Sequence, residues 1–386
     1  MTNRIKKSMS GQPLTGLILA GGGARGAYQV GVLKGIAEFS VPGQNPFPVI
    51  SGVSVGAINA VAIASQLEDF KEGVARLERM WIHLHASKVF KTGFWTITFS
   101  GLHWLAALTL GWIGVSNPKS LFDTQPLREL LTRSINFTAI TEAVEKGDLK
   151  AIGVTASSYA CGRAITFFEG EKNLQEWKRG RREGVRERLS VDHVMCSTSL
   201  PLIFPAQPLG HDYYGDGSMR LISPLSPAIH LGADRILVIG TRDEIPDPVP
   251  SRGNISEYPS LGRIGGYALD ILFNENLGED IDRAARINHT ISLLSPAEAE
   301  KTPLKKIEIL TIRPSKDIRE IARKHARQLP WMIRLLLKST GAWGGNWQLP
   351  SYLMFEPRFC RDLIELGYRD TLARKQQICR FLECRT

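Results

Sequence analysis

Two short apolar runs that end in glycine-rich turns and continue as helices constrain the fold of this chain most. Residues 14–20 (LTGLILA) run directly into the glycine cluster 21–23, and apolar residues at helical spacing follow over 27–39. Residues 48–52 run into GVSVG (52–56), and an apolar, small-residue helix is predicted over 57–67. Buried strands that alternate with helices are typical of parallel sheets covered on both faces.

The rest of the sequence continues this pattern. Buried strands are predicted over residues 150–157, 235–241 and 307–312. Helical stretches are predicted over 66–86, 124–135, 138–146, 224–232 and 267–288. Four prolines predict a loop over 243–259. We therefore predict an α/β fold with a mostly parallel central sheet.

Composition excludes several other classes of protein. With 386 residues, of which 43% are apolar and 22% charged, the chain can bury a core without disulfide or metal staples, and it is neither disordered nor collagen-like. Its five cysteines are scattered, so no disulfide framework is expected and a reducing compartment fits. No apolar signal segment is seen near the N-terminus, and a cytoplasmic location is predicted.

The net charge of +10 is unevenly spread. Basic residues concentrate in the stretches 178–188 and 313–338. Such patches suit an anionic membrane or nucleic acid, and a solvated helix face is the alternative interpretation.

Residues 92–118 contain no charged residue and include three tryptophans. Length alone would permit a transmembrane span. Glycines, threonines and His103 interrupt the segment, and a single span would place the two halves of the site described below on opposite sides of a membrane. We predict an apolar lid or membrane-facing insertion, with an ordinary buried loop and helix as the alternative.

Ser54, at the centre of GVSVG, is the first candidate for chemistry. It stands between a predicted strand and a predicted helix, which is the setting of a nucleophile elbow. The small flanking residues Gly52 and Gly56 permit a tight turn, and the helix N-terminus favours developing negative charge at the serine. The alternative is a glycine-rich turn in which Ser54 only caps the helix.

The glycine cluster after the first strand is the second candidate. Gly21, Gly22 and Gly23 offer backbone N–H groups that suit a phosphate or the oxyanion of an acyl-transfer intermediate. The same residues with Gly26 satisfy GxGxxG, so a dinucleotide site is the competing interpretation. That site requires an acid at the end of the second strand, where this chain has GVSVG instead.

Asp216, framed by Gly215 and Gly217, is the third candidate. Asp-Gly pairs mostly form turns, but Ser54 requires a base before its hydroxyl can attack a carbonyl. None of the eight histidines stands in a glycine-framed loop or another recognisable catalytic setting.

Together these motifs resemble the patatin-like phospholipase family. The sequence contains GGGARG (21–26), then GVSVG with its serine 33 residues after Gly21, then STSLPLIFP (197–205) just before the DGS box that begins at Asp216. The resemblance covers about residues 14–315, and the tail around 352–369 resembles bacterial members less specifically. One departure is Ser218, where the family carries Gly or Ala. A side chain there would either strain a loop that needs positive φ or form a local hydrogen bond.

The resemblance implies a three-layer α/β/α fold and a Ser54–Asp216 dyad without a catalytic histidine. Ser54 would be the nucleophile and Asp216 the general base, with the oxyanion held by N–H groups of the glycines at 21–23. Arg25 would hold that loop in shape or meet a phosphate headgroup. The other glycines of the motifs would support the turns, namely Gly26, Gly52, Gly56 and Gly217. No metal and no cofactor are implied.

The predicted organisation is a polar tail (1–13), a catalytic domain (14–315) and a basic, tryptophan-containing helical extension (316–386). The predicted activity is hydrolysis of fatty-acyl esters of phospholipids or lysophospholipids at an anionic membrane surface, with peripheral association and no nucleic-acid partner. Two alternatives stay open. One is an α/β-hydrolase-type esterase with a Ser-His-Asp triad that uses His289 or His325. The other is a catalytically silent protein that binds lipid surfaces.

Overall fold

A single mixed sheet forms the centre of the computed structural model, which describes residues 13–91, 120–245, 258–344 and 346–384. In these residues the sheet has ten strands. They are β1 Thr15–Leu19, β2 Val49–Val53, β3 Ala151–Ser158, β4 Ala164–Gly170, β5 Trp177–Arg179, β6 Arg182–Arg186, β7 Gln207–Leu209, β8 Asp212–Asp216, β9 Arg235–Ile239 and β10 Glu308–Ile312.

The sheet is parallel at its core and antiparallel at one side. Its order is β10-β9-β1-β2-β3-β4-β6-β5, and β8 pairs with both β3 and β7. The run from β10 to β3 is entirely parallel. The pairs β3–β4, β3–β8, β7–β8 and β5–β6 are antiparallel. The predicted mostly parallel α/β fold is confirmed.

Both faces of the sheet are buried, which makes the fold three-layered. Along β1, Leu17 and Leu19 join one hydrophobic core, while Ile18 and Ala20 join the other. Side chains alternate between the faces of a strand, so an uninterrupted apolar run is stable only where helices cover both sides.

The described residues form sixteen α-helices, which cover and flank the sheet; 3-10 and π-helical segments are not included in this number. They are α1 Ala27–Phe39, α2 Val55–Ala64, α3 Phe70–Ile82, α4 Ala86–Val89, α5 Gln125–Ser134, α6 Phe137–Lys146, α7 Val191–Ser197, α8 Ser226–His230, α9 Leu261–Asp270, α10 Asn276–Ser292, α11 Pro296–Lys301, α12 Ile318–His325, α13 Trp331–Ser339, α14 Gln348–Leu353, α15 Pro357–Ala373 and α16 Lys375–Leu382.

The five strands predicted from the sequence are all present within two residues of their predicted ends. The helix predicted over 267–288 differs, because helical structure begins at Leu261 and a π-helical segment, Ile271–Glu275, separates α9 from α10. A π-helical turn often marks a functional site, and this one lies beside the glycine cluster.

Helix α15 packs directly on α1. A Cβ placed on Gly31 would lie 1.9 Å from the carbonyl oxygen of Ile364, so the two backbones are in contact at this point. The Tyr28 hydroxyl also donates to Asp370 over 2.9 Å. The segment after residue 316 therefore shares a core with the first helix of the fold.

No helix in the described part of the chain is long and apolar enough to cross a membrane. The apolar segment 92–118, together with most of the polar tail and most of the proline-rich loop, lies outside the described residues.

Candidate active site

Ser54 occupies a sharp turn between β2 and α2. Its backbone has φ 55° and ψ −129°, a conformation that costs a non-glycine residue about 1–3 kcal/mol. This sharp turn is possible only because Gly56, in the first turn of α2, has no side chain. An added Cβ there would lie 2.0 Å from the carbonyl oxygen of Leu19. The Ser54 N–H donates to Ser197 Oγ over 2.9 Å, and that hydroxyl donates to the Thr155 carbonyl over 2.6 Å.

The glycine cluster forms a second tight turn, at the end of β1. Gly23 has φ 54°, and a Cβ there would lie 2.4 Å from the carbonyl oxygen of Tyr352, so no other residue fits without a shift. The Gly21 carbonyl accepts a hydrogen bond from Thr241 Oγ1 over 2.7 Å. The loop leads into the N-terminus of α1, where backbone dipoles favour an anion.

Asp216 is the last residue of β8 and is fully buried. Its N–H donates to the Ser199 carbonyl over 2.8 Å, and its Oδ1 accepts from the Ser218 N–H over 2.9 Å. Along one edge of β3, β2 pairs with residues 151–155 and leads into Ser54, and β8 pairs with the next residues, 156–158, through Asp216, while β4 occupies the opposite edge. The topology therefore brings together two residues that are far apart in sequence.

Burial raises the pKa of Asp216 to about 6, against the lowering effects of the Ser54 hydroxyl and of the Ser218 N–H and hydroxyl. The Ser54 hydroxyl is therefore near the carboxyl group. Within the described residues, Asp216 Oδ2 makes no hydrogen bond that meets ordinary distance and angle limits. Catalytic hydrogen bonds are often long before substrate binds, and Oδ2 is the oxygen left to accept a proton.

An apolar cavity begins at Ser54. Its volume is about 40 Å³, it is partly open to solvent, and none of the described residues that line it is charged or a histidine. Its lining comes from the glycine loop, α2, α3, α4, α5 and neighbouring segments: Gly23, Ser54, Val55, Ile58, Met80, Trp81, Leu84, Val89, Leu127, Leu130, Leu131, Thr198, Phe204 and Phe355. A hydrocarbon chain, rather than a polar group, matches such a wall.

A buried polar network connects this cavity to the glycine loop. Trp81 Nε1, in the cavity wall, donates to Asn59 Oδ1 over 2.9 Å. The Asn59 amide donates to the Gly26 carbonyl over 3.1 Å and to Gln29 Oε1 over 2.9 Å. Gln29 in turn donates to the carbonyl of Ala20 over 2.8 Å. Sequence reasoning did not identify Asn59 or Gln29, because a single polar residue in an apolar helix carries no distinctive pattern.

Arg25 is buried, and its contacts in the protein interior hold the glycine loop in place. Its guanidinium donates to Ser351 Oγ over 2.7 and 3.0 Å, lies 3.5 Å from Asp270 Oδ1 and stacks over the Tyr352 ring at 3.8 Å. Asp270 also pairs with Arg242 over 2.8 Å. Of the two roles expected for Arg25, the geometry favours holding the loop over meeting a headgroup.

Ser218 lies between the aspartate and the glycine loop. The turn Gly217–Met219 is 3-10 helical, and Ser218 does not have positive φ, so the strain expected from a side chain at this position is absent. A Cβ on Gly21 would lie 2.7 Å from Ser218 Oγ. That hydroxyl is buried without a hydrogen-bond partner among the described residues, yet it lowers the pKa of Asp216.

We expect Ser218→Ala to move the acid limb of the pH–rate profile to higher pH, because the hydroxyl that lowers the pKa of Asp216 is removed. The free energy of unfolding should change by less than about 1 kcal/mol, since the lost hydroxyl makes no hydrogen bond within ordinary distance and angle limits. Rates on a soluble ester across the pH range test this. An unchanged acid limb would show that Ser218 does not act on Asp216.

The two histidines considered for a triad lie elsewhere. His289 is exposed on α10. His325 Nε2 is 2.7 Å from Asp362 Oδ2, and its Nδ1 contacts the Gln328 amide at the same distance. Both ring nitrogens of His325 are therefore engaged near α15. In the described residues no cluster of His, Cys, Asp or Glu could hold a metal ion.

With Asp216 as the predicted base, its pKa of about 6 should set the pH dependence of ester hydrolysis. Asp216 accepts a proton only when ionised, so kcat/KM should be constant above its pKa and fall below it, approaching tenfold per pH unit. A soluble ester substrate, measured in buffers of constant ionic strength, separates this effect from membrane binding. A fall in kcat/KM centred near the ordinary aspartate pKa of about 4 would contradict the assignment of Asp216 as the base.

Comparisons with known proteins identify the family of this chain. A model of the patatin-like phospholipase family matches residues 17–229, more than half of the chain. The chain belongs to the patatin-like phospholipase family. The matched region includes the glycine loop, Ser54 and Asp216, and it ends before β9.

Two curated relatives match short stretches. Lysophospholipase nte1 of Aspergillus terreus is 34% identical over 85 residues, which is 20% of this chain and 5% of that protein. Patatin-like phospholipase domain-containing protein 7 of Mus musculus is 38% identical over 64 residues, 17% of this chain and 4% of that protein. The matches thus span only a small part of each relative's length.

Solved structures are more distant. Human GIVD cytosolic phospholipase A2, in complex with a fluorophosphonate inhibitor, superposes with a TM-score of 0.42 at 12% identity, over 96% of this chain and 59% of that chain. VipD from Legionella pneumophila superposes with a TM-score of 0.34 at 12% identity, over 98% of this chain and 70% of that chain.

Proposed function

We propose that this patatin-like protein hydrolyses fatty-acyl esters of phospholipids or lysophospholipids, with Ser54 as nucleophile and Asp216 as general base. The observation that carries the proposal is the uncharged apolar cavity that begins at Ser54. A fatty-acyl chain in this cavity would place its ester carbonyl at the serine hydroxyl, beside the glycine loop.

In the first half of the reaction, Ser54 Oγ attacks the ester carbonyl and its proton passes to Asp216 Oδ2. The N–H groups of the glycine loop stabilise the oxyanion, and a donor of this kind typically contributes about 2.7–4 kcal/mol. The tetrahedral intermediate then collapses, the carbon–oxygen bond to the alcohol breaks, and Asp216 returns the proton to the leaving alkoxide. The lysolipid or glycerophospho-alcohol leaves and the acyl-serine remains.

In the second half, water attacks the acyl-serine and gives its proton to Asp216. Collapse of the second tetrahedral intermediate releases the fatty acid and returns the proton to Ser54. Burial supports this cycle, because it makes Asp216 a stronger base than an exposed aspartate.

We also propose that the protein acts peripherally at a cytoplasmic membrane surface. The apolar segment 92–118 begins just after α4 and ends just before α5, both of which line the cavity, so its place in the sequence supports its proposed role as a lid or membrane-facing insertion.

Fatty-acid release from diacyl-phospholipid and lysophospholipid vesicles tests the proposal, with Ser54→Ala as the control for contaminating lipase. Release by wild type alone is the expected result. Vesicle binding by both proteins without release by either would favour the catalytically silent lipid-binding protein.

A further inference from the structure

Helix α9 exposes an apolar stripe on its outer side. Leu261, Ile264, Tyr267 and Ile271 are 77, 46, 60 and 38% exposed, and their spacing of three, three and four residues places them on one face of the helix. Contiguous exposed apolar residues are unusual on a soluble surface and commonly mark a contact with a membrane or a protein.

Helix α13, whose C-terminal end contacts the start of α9, also exposes apolar side chains. It begins at Trp331, and Trp331 and Leu335 are 56 and 52% exposed, one turn apart on the same face. The two helices meet where the Gly262 N–H donates to the Thr340 carbonyl over 2.8 Å and Ser260 Oγ donates to the Gly341 carbonyl over 2.9 Å. We call the exposed apolar residues of α9 and α13, with Ile271, the α9–α13 face.

Basic residues predominate along this face, and exposed Glu275 lies at its end, one turn beyond Ile271. Residues 258–269 and 329–347 contain Arg263, Arg334 and Lys338 and no Asp or Glu. Arg263 and Lys338 are exposed. Apolar side chains flanked by basic ones are the pattern of helices that lie in the interface of an anionic bilayer, where each basic residue contributes about 1 kcal/mol.

The inner side of the same helical segment contacts the active-site loop. Asp270 pairs with Arg25 behind the glycine cluster, and a Cβ on Gly21 would lie 2.5 Å from the Phe273 ring. One helix diameter, about 10 Å, therefore separates the exposed stripe from the oxyanion loop. A bilayer bound to this face would therefore lie next to the candidate active site, which would bind lipids from it.

We propose that the α9–α13 face is the membrane-docking surface of this protein and that its occupant is an anionic bilayer. This inference rests on the proposed function, because it names the surface from which the Ser54 site receives its substrate. Docking requires no change in the site itself. It raises the local concentration of lipid at the cavity, so its loss should affect vesicle substrates and not soluble ones.

The chain offers a closely matched control. Leu293 and Leu304 are 73 and 45% exposed, almost the same as Leu261 and Ile264. They flank the contact between Asn288 and Ile307, at the start of β10, whereas the active site lies at the other end of the parallel strands. Leu261→Ser with Ile264→Ser is therefore compared with Leu293→Ser with Leu304→Ser.

The experiment is co-sedimentation with vesicles of phosphatidylcholine alone and of phosphatidylcholine with phosphatidylglycerol, together with turnover of a soluble short-chain ester. The α9 double variant should bind mixed vesicles about tenfold or more weakly than wild type, while the control double variant binds normally. Arg263→Glu with Lys338→Glu should weaken binding to the mixed vesicles roughly tenfold or more and leave binding to neutral vesicles nearly unchanged.

Undiminished vesicle binding by the α9 double variant would overturn the proposal. A change from dimer to monomer in that variant with normal vesicle binding would overturn it too, and would assign the face to a second copy of the chain. Ester turnover separates this inference from the proposed function. If docking fails while the soluble ester is still cleaved, only the surface is wrong; if wild type never cleaves the ester, the hydrolase proposal itself fails.

Discussion

We expect Ser54→Ala to lower kcat/KM for ester hydrolysis by about 10⁴- to 10⁶-fold, the range found when a nucleophile or its base is removed from a serine hydrolase. The loss should lie in the chemical step, because the substitution removes one hydroxyl from the cavity lining and leaves the apolar wall intact. Binding of lipid vesicles should stay normal. Turnover of a soluble ester and co-sedimentation with vesicles measure the two effects separately.

A serine outside the site supplies the control. Ser292 is exposed at the end of α10, where its hydroxyl donates to the His289 carbonyl, and Ser292→Ala should be as active as wild type. Residual activity of Ser54→Ala within tenfold of wild type would mean that another residue attacks the ester.

Asp216→Asn should reduce kcat by about 10²- to 10⁴-fold, the usual contribution of a general base, and at the same time stabilise the folded protein. The pKa of Asp216 is about 6 in the folded state against 3.8 for an ordinary aspartate. Between these values the folded state binds more protons than the unfolded state, so the unfolding free energy falls as pH rises through this window. At pH ~7 the neutral amide avoids this cost, a gain of about 1–3 kcal/mol.

Activity lost together with stability gained is a signature that misfolding cannot imitate. Thermal unfolding at pH ~5 and ~8 should show the stability difference between wild type and Asp216→Asn growing with pH. The controls His289→Ala and His325→Ala should retain wild-type turnover on the soluble ester. Loss of turnover in either of them, with Asp216→Asn active, would instead support a Ser-His-Asp triad.

The central strands could be predicted from the sequence because their signal is local. Strands β1, β2, β3, β9 and β10 lie in the parallel part of the sheet, and all of them except β10 are buried over nearly their whole length. Five strands, β4 to β8, were not predicted. Strands β5 and β7 have only three residues each, and β6 and β8 carry charged residues, so partners supplied by the fold decide their conformation.

The candidate site likewise contains residues that the sequence could identify and features that it could not. Ser54 and the glycine loop could be identified because each follows a strand within a few residues. Asp216 drew attention mainly through the family resemblance, since an Asp-Gly pair by itself predicts only a turn. Its raised pKa depends on burial that no local pattern encodes.

A supporting role for Arg25 was expected, but the partners through which it holds the glycine loop could not be predicted. Arg25 reaches Asp270 and Ser351 across 245 and 326 positions of sequence. The apolar cavity is likewise assembled from separate segments between residues 23 and 355. Apolar residues at helical spacing predict burial, but they do not reveal whether the packed helices leave a space.

Mass-spectrometric mapping of the adduct formed with a fluorophosphonate would identify the nucleophile directly. A Ser54–Asp216 dyad predicts one adduct, on Ser54, in wild type and in His325→Ala, and greatly slowed labelling in Asp216→Asn. An adduct on a different serine, or equally fast labelling of Asp216→Asn, would contradict the Ser54–Asp216 dyad.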